Sequence, residues 1–320
     1  MSYGLLVPLL FVAAGMVLWL TSHIVESLRP SRRRPPTLRW APNIPIEYTD
    51  IGGVRFRYIR TGAGPNLVLL HTLRTQLDIF EKAVPELARH FTVFAFDYPG
   101  HGWSDIPQAA YAPEDFYKWT AAFLEKLDIR RAVVAGISIG ATIALVLAAR
   151  QNQRVAKVVA VNSYDYWPAG GIRKSSLAAR LVLTFSGFPV LGATIMRLRN
   201  RLLTDWIMEG GCTSRETLPR ELAQEIYEVG DRPGHYQAFL SLLEHEQVWP
   251  RARKEYHNIK LPVLLVYGDR DWAPPREREH TRSLIPGVTG EVVGDANHFL
   301  SLDRPRELER LIIQFGSEKT

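Results

Sequence analysis

The sequence predicts an α/β protein: a mostly parallel sheet flanked by helices, with a helical cap inserted late in the chain and a transmembrane helix at its N-terminus. Three observations predict it. After about residue 45, short apolar runs alternate with amphipathic stretches, the rhythm of strands joined by crossover helices. Several runs, such as LVLL at 67–70 and VLLVY at 263–267, are continuously apolar, as strands buried on both faces are. The rhythm then stops between Asn162 and Lys260, where apolar residues recur at helical spacing and no core strand is evident.

Composition bounds the rest. A chain of 320 residues that is 46% hydrophobic can bury a large core. Cys212 is the only cysteine, so no intramolecular disulfide can form, and it reads as a cap or packing residue. The net charge of +6 is mostly local: Arg29, Arg32, Arg33, Arg34 and Arg39 against Glu26 leave only +2 for the remainder. That distribution argues against a nucleic-acid-binding face, which would spread cations over a folded surface.

Taken in order, residues 2–25 hold no Asp, Glu, Lys or Arg, and 4–20 are almost wholly apolar. A helix there reaches roughly 30 Å, one hydrocarbon core, so residues 1–26 are expected to span a membrane once. A signal peptide would want a cationic start and a shorter apolar run. Arg29 and Arg32 to Arg34 follow the span with no cation before it, which predicts that the folded domain after it is cytoplasmic. Residues 27–44, with Pro30, Pro35 and Pro36, read as an extended basic linker.

The α/β core is expected at 45–162 and 261–320. Strands are predicted near 54–60, 67–71, 92–96, 132–135, 155–161, 263–267 and 291–293, and helices over 115–127, 139–150, 276–284 and 305–315. Residues 163–260 form the expected helical cap. Its apolar stretch 177–208, which carries Arg197, Arg199 and Arg201, reads first as cap packing and second as a membrane-dipping lid.

The sharpest motif is Gly136-Ile137-Ser138-Ile139-Gly140, set between the apolar run AVVA and the helical stretch ATIALVLAAR. Strand, tight turn and helix in that order make a nucleophile elbow, in which glycines let the turn approach its neighbours closely.

Further landmarks follow the order of the α/β-hydrolase superfamily, which this chain resembles over about residues 45–315. Leu69-Leu70-His71-Thr72-Leu73 resembles the loop that supplies half of the oxyanion hole, and Phe96-Asp97-Tyr98-Pro99-Gly100-His101-Gly102-Trp103-Ser104 resembles the segment after the next strand. Tyr267-Gly268-Asp269-Arg270-Asp271 resembles the turn bearing the acid, and Asn297-His298-Phe299 the histidine loop. The resemblance implies Ser138 as nucleophile, His298 as general base and Asp271, rather than Asp269, as the acid that orients it. It also implies an oxyanion hole from the N–H groups of Ile139 and Leu73. The chain departs from the family in carrying Thr72 where glycine is common, which stiffens that loop, and Ala141 in place of a frequent second glycine.

Asp97 and His101 are expected to be structural, and His71 to brace the oxyanion loop. His235, His245, His257 and His280 show no metal-ligand spacing, and no metal or cofactor is expected. A serine at 138 argues against the epoxide hydrolase and haloalkane dehalogenase branches, which use an aspartate nucleophile. The expected substrate is a small lipophilic ester. The same triad serves carbon–carbon bond hydrolysis and acyl transfer, and the fold also serves non-catalytic ligand binding.

Overall fold

The N-terminal apolar run forms one helix, α1 (Tyr3–Ser27), in a computed structural model that describes residues 3–318. It is long and apolar enough to cross a membrane, and its side chains from Val7 to Leu20 are exposed. Only its last turns pack: Ser22 is buried, and Glu26 pairs with Arg29 at 2.9 Å and with Arg199 at 2.7 Å. The basic segment that follows is extended, but it lies along the body instead of standing free. Leu38 is buried, Arg34 pairs with Asp105 at 2.5 Å, Arg39 pairs with Glu81, and Trp40 Nε1 donates to Asp78 at 2.7 Å.

The chain next enters β1 (Ile46–Ile51), a strand that the sequence reading misses by starting the sheet at residue 54. β1 is an edge strand paired only with β2 (Val54–Thr61), so its side chains stay half-exposed and carry no core signal. There follow β3 (Asn66–Leu70), α2 (Val84–Leu87), β4 (Thr92–Phe96), α3 (Pro113–Lys126), β5 (Ala132–Ile137), α4 (Ile139–Ala149) and β6 (Val155–Val161). From there to the next strand the described residues are helical or irregular: α5 (Leu177–Phe185), α6 (Pro189–Arg197), α7 (Arg201–Glu209), α8 (Arg220–Gly230) and α9 (His235–Glu244). The sheet resumes with β7 (Val263–Gly268), α10 (Pro275–Ser283) and β8 (Thr289–Val293), and the chain closes with α11 (Leu300–Asp303) and α12 (Pro305–Ser317).

The strand order is β1-β2-β4-β3-β5-β6-β7-β8, antiparallel from β1 through β2 to β4 and parallel from β4 onward. Strand side chains alternate between two cores. Val68 and Leu70 pack with Phe123 and Ile143 on one face, whereas Leu67 and Leu69 pack with Val84, Leu87, Leu311 and Ile312 on the other.

One sequence expectation is corrected in the inserted segment. Leu183 and Met196 do pack inward, but Leu177, Leu181, Phe185, Phe188, Val190 and Leu191 are exposed, Leu177 by 72% and Phe188 by 59%. α5 and α6 each bury one face, and none of the described residues covers the apolar side chains exposed on the other.

Arg57 on β2 fixes how the sheet meets the loops above it. It is fully buried between Asp78 at 2.8 Å and Asp97 at 3.1 Å. Burial opposes its charge, and the two carboxylates more than offset that, so its pKa is raised. Arg57→Met strands two buried carboxylates and is expected to lower the unfolding free energy by about 3–5 kcal/mol, measured by chemical denaturation of the detergent-solubilised chain.

Candidate active site

The site assembles at the carboxyl ends of the parallel strands, where open α/β sheets leave a crevice. Ser138 joins β5 to α4 with no intervening loop, at φ 59° and ψ −118°, a left-handed backbone for a residue with a side chain. Its N–H donates to Val161 O at 2.9 Å, and its own carbonyl accepts from Thr142 N at 3.0 Å and Tyr164 N at 3.3 Å. The turn is held from both sides. A side chain on Gly140 would run into the backbone of Leu70 and His71, and one on Gly136 into Gly140 itself. Ser138 Oγ is buried and carries no hydrogen bond.

The β7 turn presents two carboxylates to different surroundings. Asp269 is exposed and accepts from Ala296 N at 3.0 Å, which holds its pKa below the usual carboxylate value. Asp271 is buried; its Oδ1 lies 2.6 Å from His298 Nδ1, and its Oδ2 accepts from Ala273 N at 3.0 Å. A carboxylate on Nδ1 makes that nitrogen the N–H donor and leaves Nε2 with its lone pair. Nε2 is buried and without a hydrogen-bond partner, as Ser138 Oγ is. Neither group bonds the other in this unliganded geometry, in which such contacts are often loose. Asp271 and His298 are thus brought together, and Asp269 is set apart from them.

Two residues that the sequence reading missed hold this pair in place. Asn162, at the end of β6, donates from Nδ2 to the carbonyls of Asn297 and His298 at 3.0 Å each, and its Oδ1 accepts from Gly268 N at 2.9 Å. It therefore staples the acid turn to the histidine loop. Trp272 stacks on the His298 ring with centroids 3.7 Å apart and planes 14° apart, which fixes the ring's orientation. A polar residue directly after an apolar strand was the only signal for Asn162, and none marked Trp272.

On the other side of Ser138, the N–H groups of Ile139 and Leu73 have no hydrogen-bond partner among the described residues. The loop carrying Leu73 is braced from within. His71 Nε2 accepts from Tyr98 N at 3.0 Å, so Nδ1 carries the hydrogen and donates to Thr72 O at 2.7 Å. Thr75 Oγ1 donates to the same carbonyl at 2.9 Å. Burial lowers the His71 pKa to about 4 and keeps the ring neutral. Arg74 follows at φ 63°, with its guanidinium 4.8 Å over the Phe239 ring on α9, which ties this loop to the inserted helices.

Asp97 accepts from Leu77 N at 2.7 Å, Trp103 N at 2.8 Å and Arg57, and His101 is buried with its pKa lowered to about 3 by burial; both serve loop packing. Burial pushes the Cys212 thiol up to about 12, so it stays protonated. Among the described residues, no group of three His, Cys, Asp or Glu side chains converges to hold a metal ion.

Residues 65–305 match the sequence model of a family described as having the alpha/beta hydrolase fold. The chain is 31% identical over 273 residues to 2-(acetamidomethylene)succinate hydrolase of Mesorhizobium japonicum, covering 83% of this chain and 93% of that protein. Among solved structures it is similar to Cfl2 of Burkholderia cenocepacia, with TM-score 0.77, 23% identity and coverage of 89% of this chain and 99% of the other. It is also similar to carboxylesterase CesB of Bacillus subtilis, with TM-score 0.70, 19% identity and coverage of 96% and 100%.

The neutral His71 makes the loop that carries Leu73 acid-sensitive. Its pKa falls from 6.5 to about 4 on folding, so the stability tied to its neutral form is complete above pH 6.5 and is lost as pH falls toward 4. That loss amounts to about 3 kcal/mol. His71→Asn is expected to flatten this part of the stability-versus-pH curve by a comparable amount, read from denaturation midpoints of the solubilised chain between those two pH values.

Proposed function

The chain belongs to the α/β-hydrolase fold family, and on that premise we propose that it is a serine hydrolase that cleaves a lipophilic carboxylic ester through an acyl-enzyme at Ser138. The observation that carries the reading is the buried 2.6 Å pairing of Asp271 with His298, which leaves His298 Nε2 without a hydrogen-bond partner, as the buried Ser138 Oγ also is.

In this mechanism the Ser138 hydroxyl proton passes to His298 Nε2 as Oγ bonds the ester carbonyl carbon, and the carbonyl π electrons move onto oxygen. The N–H groups of Ile139 and Leu73 stabilise that oxyanion. As the intermediate collapses, the ester C–O bond breaks and the departing alkoxide takes the proton from His298. Water then repeats the sequence on the acyl-enzyme, freeing the acid and Ser138. Asp271 stays ionised and steadies the imidazolium; it does not take the proton. Two features support a lipophilic substrate: the apolar α1 and the exposed apolar faces of α5 and α6. Both would bring the site to where such esters concentrate.

The test is a panel of esters of increasing chain length, with acidic amides and vinylogous diketones beside them, turned over by the full chain in detergent micelles. Esters are expected to be hydrolysed fastest. Ser138→Ala and His298→Ala should abolish turnover, and Asp271→Asn should lower kcat by roughly 10⁴-fold through the wrong imidazole tautomer. Asp269→Asn should stay close to wild type, because that carboxylate is exposed and is held by backbone N–H groups away from His298. The losses should not add when combined, since the three residues act as one unit. Folded Ser138→Ala protein with wild-type turnover would overturn the reading.

The arginines after α1 support a single span with the hydrolase domain in the cytoplasm. Protease added outside intact cells should leave that domain whole, and should degrade it only after the membrane is permeabilised.

A further inference from the structure

The surface that α5 and α6 expose has an unusual charge pattern. From residue 166 to residue 204 there is no Asp or Glu, while Arg173, Lys174, Arg180, Arg197, Arg199 and Arg201 all fall within it. Apolar side chains fill the spaces between them, and Leu177, Leu181, Phe185, Phe188, Val190 and Leu191 point outward. A surface of this size left uncovered marks an interaction site.

Its position identifies the occupant. α6 packs against α1, with its C-terminal end held where α1 ends. There Arg29 donates to the carbonyls of Arg197 and Arg199 and pairs with Asp231, and Arg199 reaches both Glu26 at 2.7 Å and Gly230 O at 2.6 Å. The whole of α6 is only about 13 Å long, so Phe188, Val190 and Leu191 at its N-terminal end lie within one short helix length of the end of the span. A bilayer that takes up α1 is within reach of these side chains, and α5 adjoins α6.

We propose that the exposed face of α5 and α6 is seated in the hydrocarbon of the bilayer that α1 crosses, so that the cap is a membrane-embedded element and not a water-facing lid. This rests on α1 spanning a membrane, and it deepens the reading of a lipophilic substrate without depending on the hydrolytic chemistry. Lys174, Arg180 and Arg201 are exposed around the face, the arrangement of interfacial helices in which long basic side chains reach up to headgroups while apolar ones enter the acyl region; Arg173 and Arg199 are instead paired within the protein with Glu246 and Glu26. A groove of about 620 Å³, lined by Leu177, Leu181, Trp206, Gly210 and Cys212, opens at this same rim. Its floor is bonded to the loop that carries His298: Phe299 N donates to Gly211 O at 2.8 Å and Asn297 Nδ2 to Cys212 O at 3.1 Å.

The test places an environment-sensitive fluorophore on single cysteines in the full chain, reconstituted in phosphatidylcholine vesicles. The labelled variants are Leu181→Cys and Phe188→Cys on the cap, Phe11→Cys on α1 and Lys126→Cys on α3, each in a Cys212→Ser background, with that background taken through the same labelling as blank. The readout is the loss of fluorescence when the lipid acyl chains are brominated. The expected result is a blue-shifted emission and comparable loss at 181, 188 and 11, with none at 126. Loss at 11 alone would overturn the seated cap and leave the span standing; loss at none would overturn both. Equal loss at all four positions would also overturn it, because the quenching would then not be confined to this face.

Discussion

The strained turn at Ser138 is the constraint on which the rest of the structure depends. β5 passes into α4 with no loop, so one residue must absorb the change of direction in a backbone conformation that costs about 1–3 kcal/mol. The turn is affordable only because its neighbours leave no alternative. Gly136 and Gly140 sit against each other, Gly140 rests on the backbone at the end of β3, and Ser138 is bonded to the end of β6. The turn therefore sets the spacing of the central strands, and the loop carrying Leu73 is fixed relative to Ser138 through His71, the residue that Gly140 abuts.

The acid and the histidine reach the same place from β7 and β8, and their convergence depends on close backbone approach. A side chain on Gly268 would meet the carbonyl oxygens of Ala296 and Asn297, and Asn162 bonds both segments at once. Trp272 completes the arrangement by covering the imidazole face. Packing, not the hydrogen bond alone, thus holds the Nδ1 side of His298 against Asp271.

Much of this was legible in the sequence because continuous apolar runs and a glycine-flanked serine have few structural solutions. The central strands fall where LVLL, AVVA and VLLVY lie, and the resemblance singled out Asp271, the carboxylate that the fold places against His298. Other features could not be read. β1 is an edge strand with a mixed pattern, and Asn162 and Trp272 act through contacts made only once distant segments meet. The apolar residues of α5 and α6 read as packing because periodicity reports that a helix is two-faced and not what the second face meets. The pairing of the linker arginines was likewise beyond a local pattern: they find carboxylates at Asp105, Glu81 and Asp231 that are remote in sequence.

The central claim is that Ser138 is a nucleophile made reactive by His298. Its most direct measurement is peptide mapping by mass spectrometry after the full chain has reacted with a fluorophosphonate, beside His298→Ala treated identically. The account predicts one phosphonyl adduct, on the peptide that contains Ser138, and its loss or severe slowing in the His298 variant. An adduct on another residue, or equal labelling of Ser138 in both proteins, would contradict it.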